Sequence, residues 1–137
     1  MVNVRASDAV ARALYPHMKA QRFGRMVFVL SSAAWGRPPP NMVPYVTAKH
    51  ALRGLVCGLA AELGPHGICV NAVSPGLLET DNSENLSVMA KKMEAAQSPL
   101  KRLAALEEVA GAIIGLLGPT GSYVNGADLP VTGGTVM

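Results

Sequence analysis

Hydrophobic and polar positions alternate along the chain between a helical and a strand period. Between residue 4 and about residue 20, Val10, Ala13, Leu14 and Met18 recur at helical spacing. Pro16 falls late in that pattern, where its missing N–H predicts a bend or a shortened last turn. Gly24 stops the pattern, and Arg25–Leu30 (RMVFVL) is a continuous apolar run of strand length, suited to a strand buried on both faces of a parallel sheet. Ser31–Asn41 holds Gly36 and the prolines Pro38 to Pro40, and is predicted loop. From Val43 to Leu63 a long helix is predicted, with Leu52, Leu55, Val56, Leu59, Ala60 and Leu63 on a wide apolar face and Gly64-Pro65 at its end. Gly54 and Gly58 sit one turn apart on it. Each costs the helix roughly 1 kcal/mol relative to alanine, which a close backbone approach to a partner helix would explain. Ile68–Val73 is a second buried strand, broken by Pro75-Gly76. The polar stretch from Glu79 to Ser98 predicts a short helix capped by Asp81, Asn82 or Ser83. Glu107–Leu117 is a third clear helix, and Ala127–Val131 a last strand before Gly133-Gly134.

This order is that of an open α/β sheet with right-handed crossovers. Three strands are few for a doubly wound sheet, and the chain opens on a helix with no strand ahead of it. A length of 137 residues is one domain with a real core, and a chain half hydrophobic and 15% charged is compact rather than disordered. The longest apolar stretch, Val109–Gly118, is far short of the roughly 18 residues a membrane span needs. MVNVRASD has no secretory pattern, so a cytoplasmic address is expected. The net charge of +3 is scattered, without the clustered Lys and Arg of a nucleic-acid surface. Cys57 and Cys69 lack metal-ligand spacing and read as reduced, buried small hydrophobes; His17, His50 and His66 form no zinc motif.

Ligands of open α/β sheets bind at the carboxyl ends of the strands. Ser31-Ser32 follow the first strand, Ser74-Pro75-Gly76 follow the second, and each helix that follows a strand starts on the same rim. Tyr45 lies near the start of the long helix and Asn3 at the start of the first, so polar groups from separate segments converge on one edge. Tyr45 and Lys49 are four apart and share a helix face. A free phenol, with a pKa near ~10, is a poor base at neutral pH. A neighbouring ammonium is expected to favour its ionised form and make the pair a usable proton donor and acceptor. Ser32, thirteen residues before Tyr45, is placed to hydrogen-bond a substrate oxygen.

These residues resemble the short-chain dehydrogenases/reductases. SSAAWGRPPPNMVPYVTAK (Ser31–Lys49) is similar to that family's serine followed by Tyr-x-x-x-Lys, and VNAVSPGLLETD (Val70–Asp81) to its strand-PG-x-x-x-T segment. PLKRLAALEEVAGAIIGLL (Pro99–Leu117) and SYVNGADLPVTGG (Ser122–Gly134) resemble its C-terminal stretch, and Val2-Asn3-Val4 its helix-opening asparagine. The resemblance implies a Rossmann-like doubly wound parallel sheet, here truncated to about three strands with flanking helices. It implies Tyr45 as catalytic acid/base, and Lys49 as the residue that lowers its pKa and binds the nicotinamide ribose. Ser32 would orient the carbonyl or alcohol, and Asn3 would hold a water that relays protons from Lys49. Pro75, Gly76, Leu78 (through its backbone) and Thr80 would line the nicotinamide. Asn3 fits a helix N-cap equally well, and Thr80 and Asp81 also fit caps. Residues 79–100 would be a substrate lid.

The implied cofactor is NAD or NADP, the substrate a small-molecule carbonyl or alcohol, with neither nucleic acid nor membrane as partner. The family's Gly-rich turn, its NAD/NADP selector and its Asn-Asn-Ala-Gly strand end are not in these 137 residues. No two of the 14 glycines lie two apart, so no dinucleotide fingerprint can be drawn. The chain is therefore expected to be a single domain, residues 1–137, equivalent to the C-terminal catalytic half of the fold with the dinucleotide-binding half absent. Two functions follow from this. One is an oxidoreductase working by a Ser-Tyr-Lys mechanism as part of a longer or two-piece enzyme. The other is a catalytically silent remnant. Association, as a homo-oligomer or with a longer relative, is expected for both.

Overall fold

A computed structural model of the chain describes residues 2–36, 38, 40–79 and 87–136. Among the described residues there are four α-helices, α1 (Val2–Gln21), α2 (Val43–Leu63), α3 (Val88–Gln97) and α4 (Leu106–Leu117), and three strands, β1 (Gly24–Val29), β2 (Ile68–Pro75) and β3 (Asp128–Val131), with α3 and α4 both between β2 and β3. The strands form one parallel sheet in the order β1-β2-β3, with Met26 opposite Val70 and Val73 opposite Leu129. The α/β class, the parallel sheet and the flanking helices are those expected from the alternation of periods.

Side chains of a strand alternate between its two faces, and here each face has its own core. Met26, Phe28, Ile68, Val70 and Ala72 pack on one side with Leu52, Val56 and Leu63 of α2 and Ala11 of α1. Val27, Val73 and Val131 pack on the other with Val109, Ile113 and Leu116 of α4. The central strand is accordingly buried at nearly every position, with Val70, Ala72, Val73 and Ser74 at 0% exposure. Among the described residues β1 pairs only with β2, so its other edge is open. That edge and α1 border a groove lined by Val10, Leu14, Val27 and Val29.

Several elements depart from the pattern reading. α1 is not shortened at Pro16; it runs on to Gln21, with Tyr15 and Met18 packed against the core. β2 extends through Pro75, because β3 pairs with its last two residues. α3 is capped by Ser87, whose Oγ accepts from Ala90 N at 3.1 Å; the expected caps Asp81, Asn82 and Ser83 lie outside the described residues. Cys57 is exposed on α2 rather than buried, and Cys69 is half-buried, its Sγ 3.6 Å from Ser122 O. Gly54 and Gly58 face open space, so the close helix approach expected of them is not made within this chain. Gly67 is the turn glycine that the backbone demands: its φ is +77° and a Cβ there would lie 2.3 Å from Arg22 O.

The start of α4 is tied by charge. Arg102 donates to both carboxylate oxygens of Glu108 at 2.6 Å, and Ala105 N donates to Glu108 Oε2 at 2.9 Å. The bonds from Arg102, then that from Ala105, hold the Glu108 carboxyl down at about 2 from its ordinary 4.5. A carboxylate whose pKa is lowered by folding adds stability above its unfolded pKa and loses it as pH falls toward the folded value. Denaturation midpoints are therefore expected to fall between about pH 4.5 and about pH 2, with Glu108→Gln flattening part of that fall. Parallel profiles for the two proteins would contradict this.

Candidate active site at the carboxyl ends of the strands

The first strand leads straight into the site. Leu30 N donates to Val73 O at 2.8 Å, carrying the pairing one residue past β1. Ser31 then caps a short 3-10 turn, Ser32–Ala34: its Oγ accepts from Ala33 N at 3.2 Å and its carbonyl from Ala34 N at 3.0 Å. Because Ser31 does the capping, the Ser32 hydroxyl is left without a hydrogen bond among the described residues. Ser32 lines a cavity of about 120 Å³ with Gly76, Leu77 and Thr132. Gly76 itself is held by its N–H, which donates to Val131 O at 3.1 Å. The ends of all three strands thus border one space.

α2 brings the other two groups. It packs against the 3-10 turn, and Pro44 in its first turn suits a helix start, where no N–H partner is needed. Lys49 Nζ donates to Val29 O, the last carbonyl of β1, at 3.0 Å. The same ammonium lies 5.6 Å from the centroid of the Tyr45 ring. A lysine has three N–H donors, and among the described residues only one is used here. Tyr45 is 39% exposed and is not among the residues that line the Ser32 cavity.

The remaining expected site residues are placed less evenly. Pro75 closes the buried β2, and Leu78 packs its side chain against the α4-side core while bridging to Ala104. Thr80 lies outside the described residues. Asn3 sits inside the first turn of α1 rather than at its cap, exposed, and among the described residues its side chain bonds to none of Ser32, Tyr45 and Lys49.

One residue of the site escaped the sequence reading. Asp128, at the start of β3, is only 4% exposed in its side chain. It accepts from Ser74 Oγ at 2.7 Å and Trp35 Nε1 at 3.1 Å, and it pairs with Arg53 Nε at 3.6 Å. The available signals were an acidic residue inside an apolar strand and an arginine one helical turn past Lys49.

Residues 1–136 match the family model described as enoyl-(acyl carrier protein) reductase. The chain is 38% identical over 136 residues to dehydrogenase/reductase SDR family member 4 of Sus scrofa, covering 98% of this chain and 48% of that protein. It is 37% identical over 133 residues to the 3-oxoacyl-(acyl-carrier-protein) reductase of Aquifex aeolicus, covering 97% of this chain and 53% of the relative. In structure it is similar to a 3-oxoacyl-(acyl-carrier protein) reductase from Brucella melitensis, with a TM-score of 0.93 and 32% identity over 98% of this chain and 50% of that one. It is also similar to a gluconate 5-dehydrogenase from Burkholderia cenocepacia, solved with NADP and tartrate, with a TM-score of 0.90 and 31% identity over 98% and 53% of the two chains. The chain thus spans about half the length of the relatives it matches. With nearly every residue matched in sequence and in fold, it belongs to the short-chain dehydrogenase/reductase family.

Proposed function

We propose that these residues form the catalytic half of an NAD(P)-dependent oxidoreductase that interconverts a small-molecule carbonyl and its alcohol. The observation that carries this reading is the Lys49 ammonium, held beside the Tyr45 ring and at 3.0 Å on the last carbonyl of β1, three residues before Ser32, whose hydroxyl is uncommitted among the described residues. Ser32 donates a hydrogen bond to the substrate oxygen. The Tyr45 phenol gives a proton to that oxygen in reduction and takes it back in oxidation. Lys49 keeps a positive charge beside the phenol and has N–H donors left for a ribose hydroxyl. Asn3 would hold a proton-relaying water.

NAD or NADP, when bound, supplies or accepts the hydride. The residues present fit the nicotinamide end of such a cofactor: Pro75, Gly76, Leu78 and Thr80 would line the ring. They offer no Gly-rich cradle for the pyrophosphate, since no two of the 14 glycines lie two apart. The open edge of β1 and the twofold length of the relatives support a complementary half that completes the sheet and carries that cradle. The exposed face of α2 around Gly54 and Gly58 would serve association with a second copy. No helix among the described residues is long and apolar enough to cross a membrane, and a cytoplasmic address belongs to the same proposal.

The missing cradle also favours a second reading, a catalytically silent partner of longer relatives. One experiment separates the two: fuse the N-terminal half of the Aquifex aeolicus reductase ahead of Val2 and assay NAD(P)H consumption with a panel of ketones. Reduction of at least one ketone is the expected result. A fusion that folds and binds dinucleotide but turns over no carbonyl would leave the silent reading standing.

A further inference from the structure

We propose that Asp128 is a positioning residue that locks three rim segments together: the turn carrying Ser32, the strand end carrying Pro75-Gly76, and the helix carrying Tyr45 and Lys49. Its carboxylate has one partner from each, two hydrogen-bond donors and one ion pair. Ser74, 0% exposed and next to Pro75, donates to Oδ1 at 2.7 Å. Trp35, which ends the 3-10 turn begun by Ser32 and donates its backbone N–H to Ser32 O at 2.8 Å, gives its indole N–H to Oδ2 at 3.1 Å. Arg53, on the same stripe of α2 as Tyr45 and Lys49, pairs with Oδ2 at 3.6 Å. The Arg53 guanidinium also lies 4.6 Å from the centroid of the Trp35 ring, so the indole is held both at its N–H and on its face.

A carboxylate at 4% exposure is costly unless its oxygens are satisfied, and an apolar side chain of similar size would fill the start of β3 without that cost. What an apolar residue would lack is direction. Hydrogen bonds to a carboxylate are oriented, so they fix where each donor sits. The consequence for the site is that the Ser32 hydroxyl keeps its place relative to Tyr45 through Trp35 and Arg53, although Asp128 touches neither Ser32 nor Tyr45. The chemical meaning of that placement rests on the proposed function. The lock itself does not, and its test uses the chain without dinucleotide.

That test is amide hydrogen exchange read by NMR. Asp128→Ala is expected to speed exchange at positions 34 and 35, whose amides close the 3-10 turn, by about tenfold or more. The amides of Val70 and Ala72 in the central strand should keep their protection. Asp128→Asn, which still offers an oxygen to Trp35, should restore slow exchange. It should also leave the chain's single indole N–H resonance near its native position, whereas Asp128→Ala displaces it. Should Asp128→Ala fail to fold, Trp35→Phe removes the indole N–H together with part of the ring, leaves Asp128 in place, and should give the same local acceleration at position 34. Unchanged exchange at positions 34 and 35, or an equal acceleration throughout β2, would overturn the proposal.

Discussion

The 137-residue chain on its own is expected to hold NADH or NADPH with a dissociation constant of about 1 mM or weaker, and the fusion described above about a thousandfold more tightly. The reasoning is one of missing contacts. On the proposed function Pro75, Gly76 and Lys49 would touch the nicotinamide and its ribose, but the pyrophosphate is the charged part of the cofactor and wants backbone N–H groups at a helix start. None of the glycine spacing that makes such a turn occurs here. Binding energy from remote parts of a molecule is what holds its reacting end in place, so losing it weakens both affinity and orientation. A thousandfold difference corresponds to about 4 kcal/mol. Titration of the dinucleotide's fluorescence measures it directly, and micromolar binding by the chain alone would show that the cradle is not needed.

The second large effect is expected from one oxygen atom. Tyr45→Phe in the fusion removes the phenolic hydroxyl and keeps the ring beside Lys49. Because Tyr45 is 39% exposed and lies outside both core clusters, the change leaves packing intact, and any loss of turnover is chemical. Positioned proton transfer is worth about 10²–10⁴ in rate. A loss of about a thousandfold is expected, since the phenylalanine ring keeps the packing but has no proton to give or take.

Much of this was legible along the chain because local chemistry dictated it. α2 begins at Val43 and ends at Leu63 as expected, since its apolar face is continuous and Gly64-Pro65 stops it. The Tyr45–Lys49 pair follows from helical spacing alone, and the approach of Lys49 to β1 follows from where α2 starts. Other features depend on partners far along the chain. Pro75 reads as a strand breaker, yet β3, more than fifty residues later, pairs with it and extends β2. Cys57 reads as a small hydrophobe by residue type alone, yet it lies one turn past Arg53, outside the buried stripe of Leu52, Val56 and Leu59. Asp128 draws its donors from 54 and 93 residues away, and nothing in the local pattern of β3 announces them. Sequence periodicity thus located the groups that face the rim and missed the buried carboxylate behind them.

Steady-state ketone reduction by the fusion at saturating dinucleotide, native against Tyr45→Phe, is the measurement closest to the central claim. A fall in kcat of about a thousandfold, with dinucleotide affinity unchanged, is the predicted result. A Tyr45→Phe fusion that keeps turnover within about tenfold of native would show that proton transfer runs through another group, and would contradict the assignment of this rim as the catalytic centre.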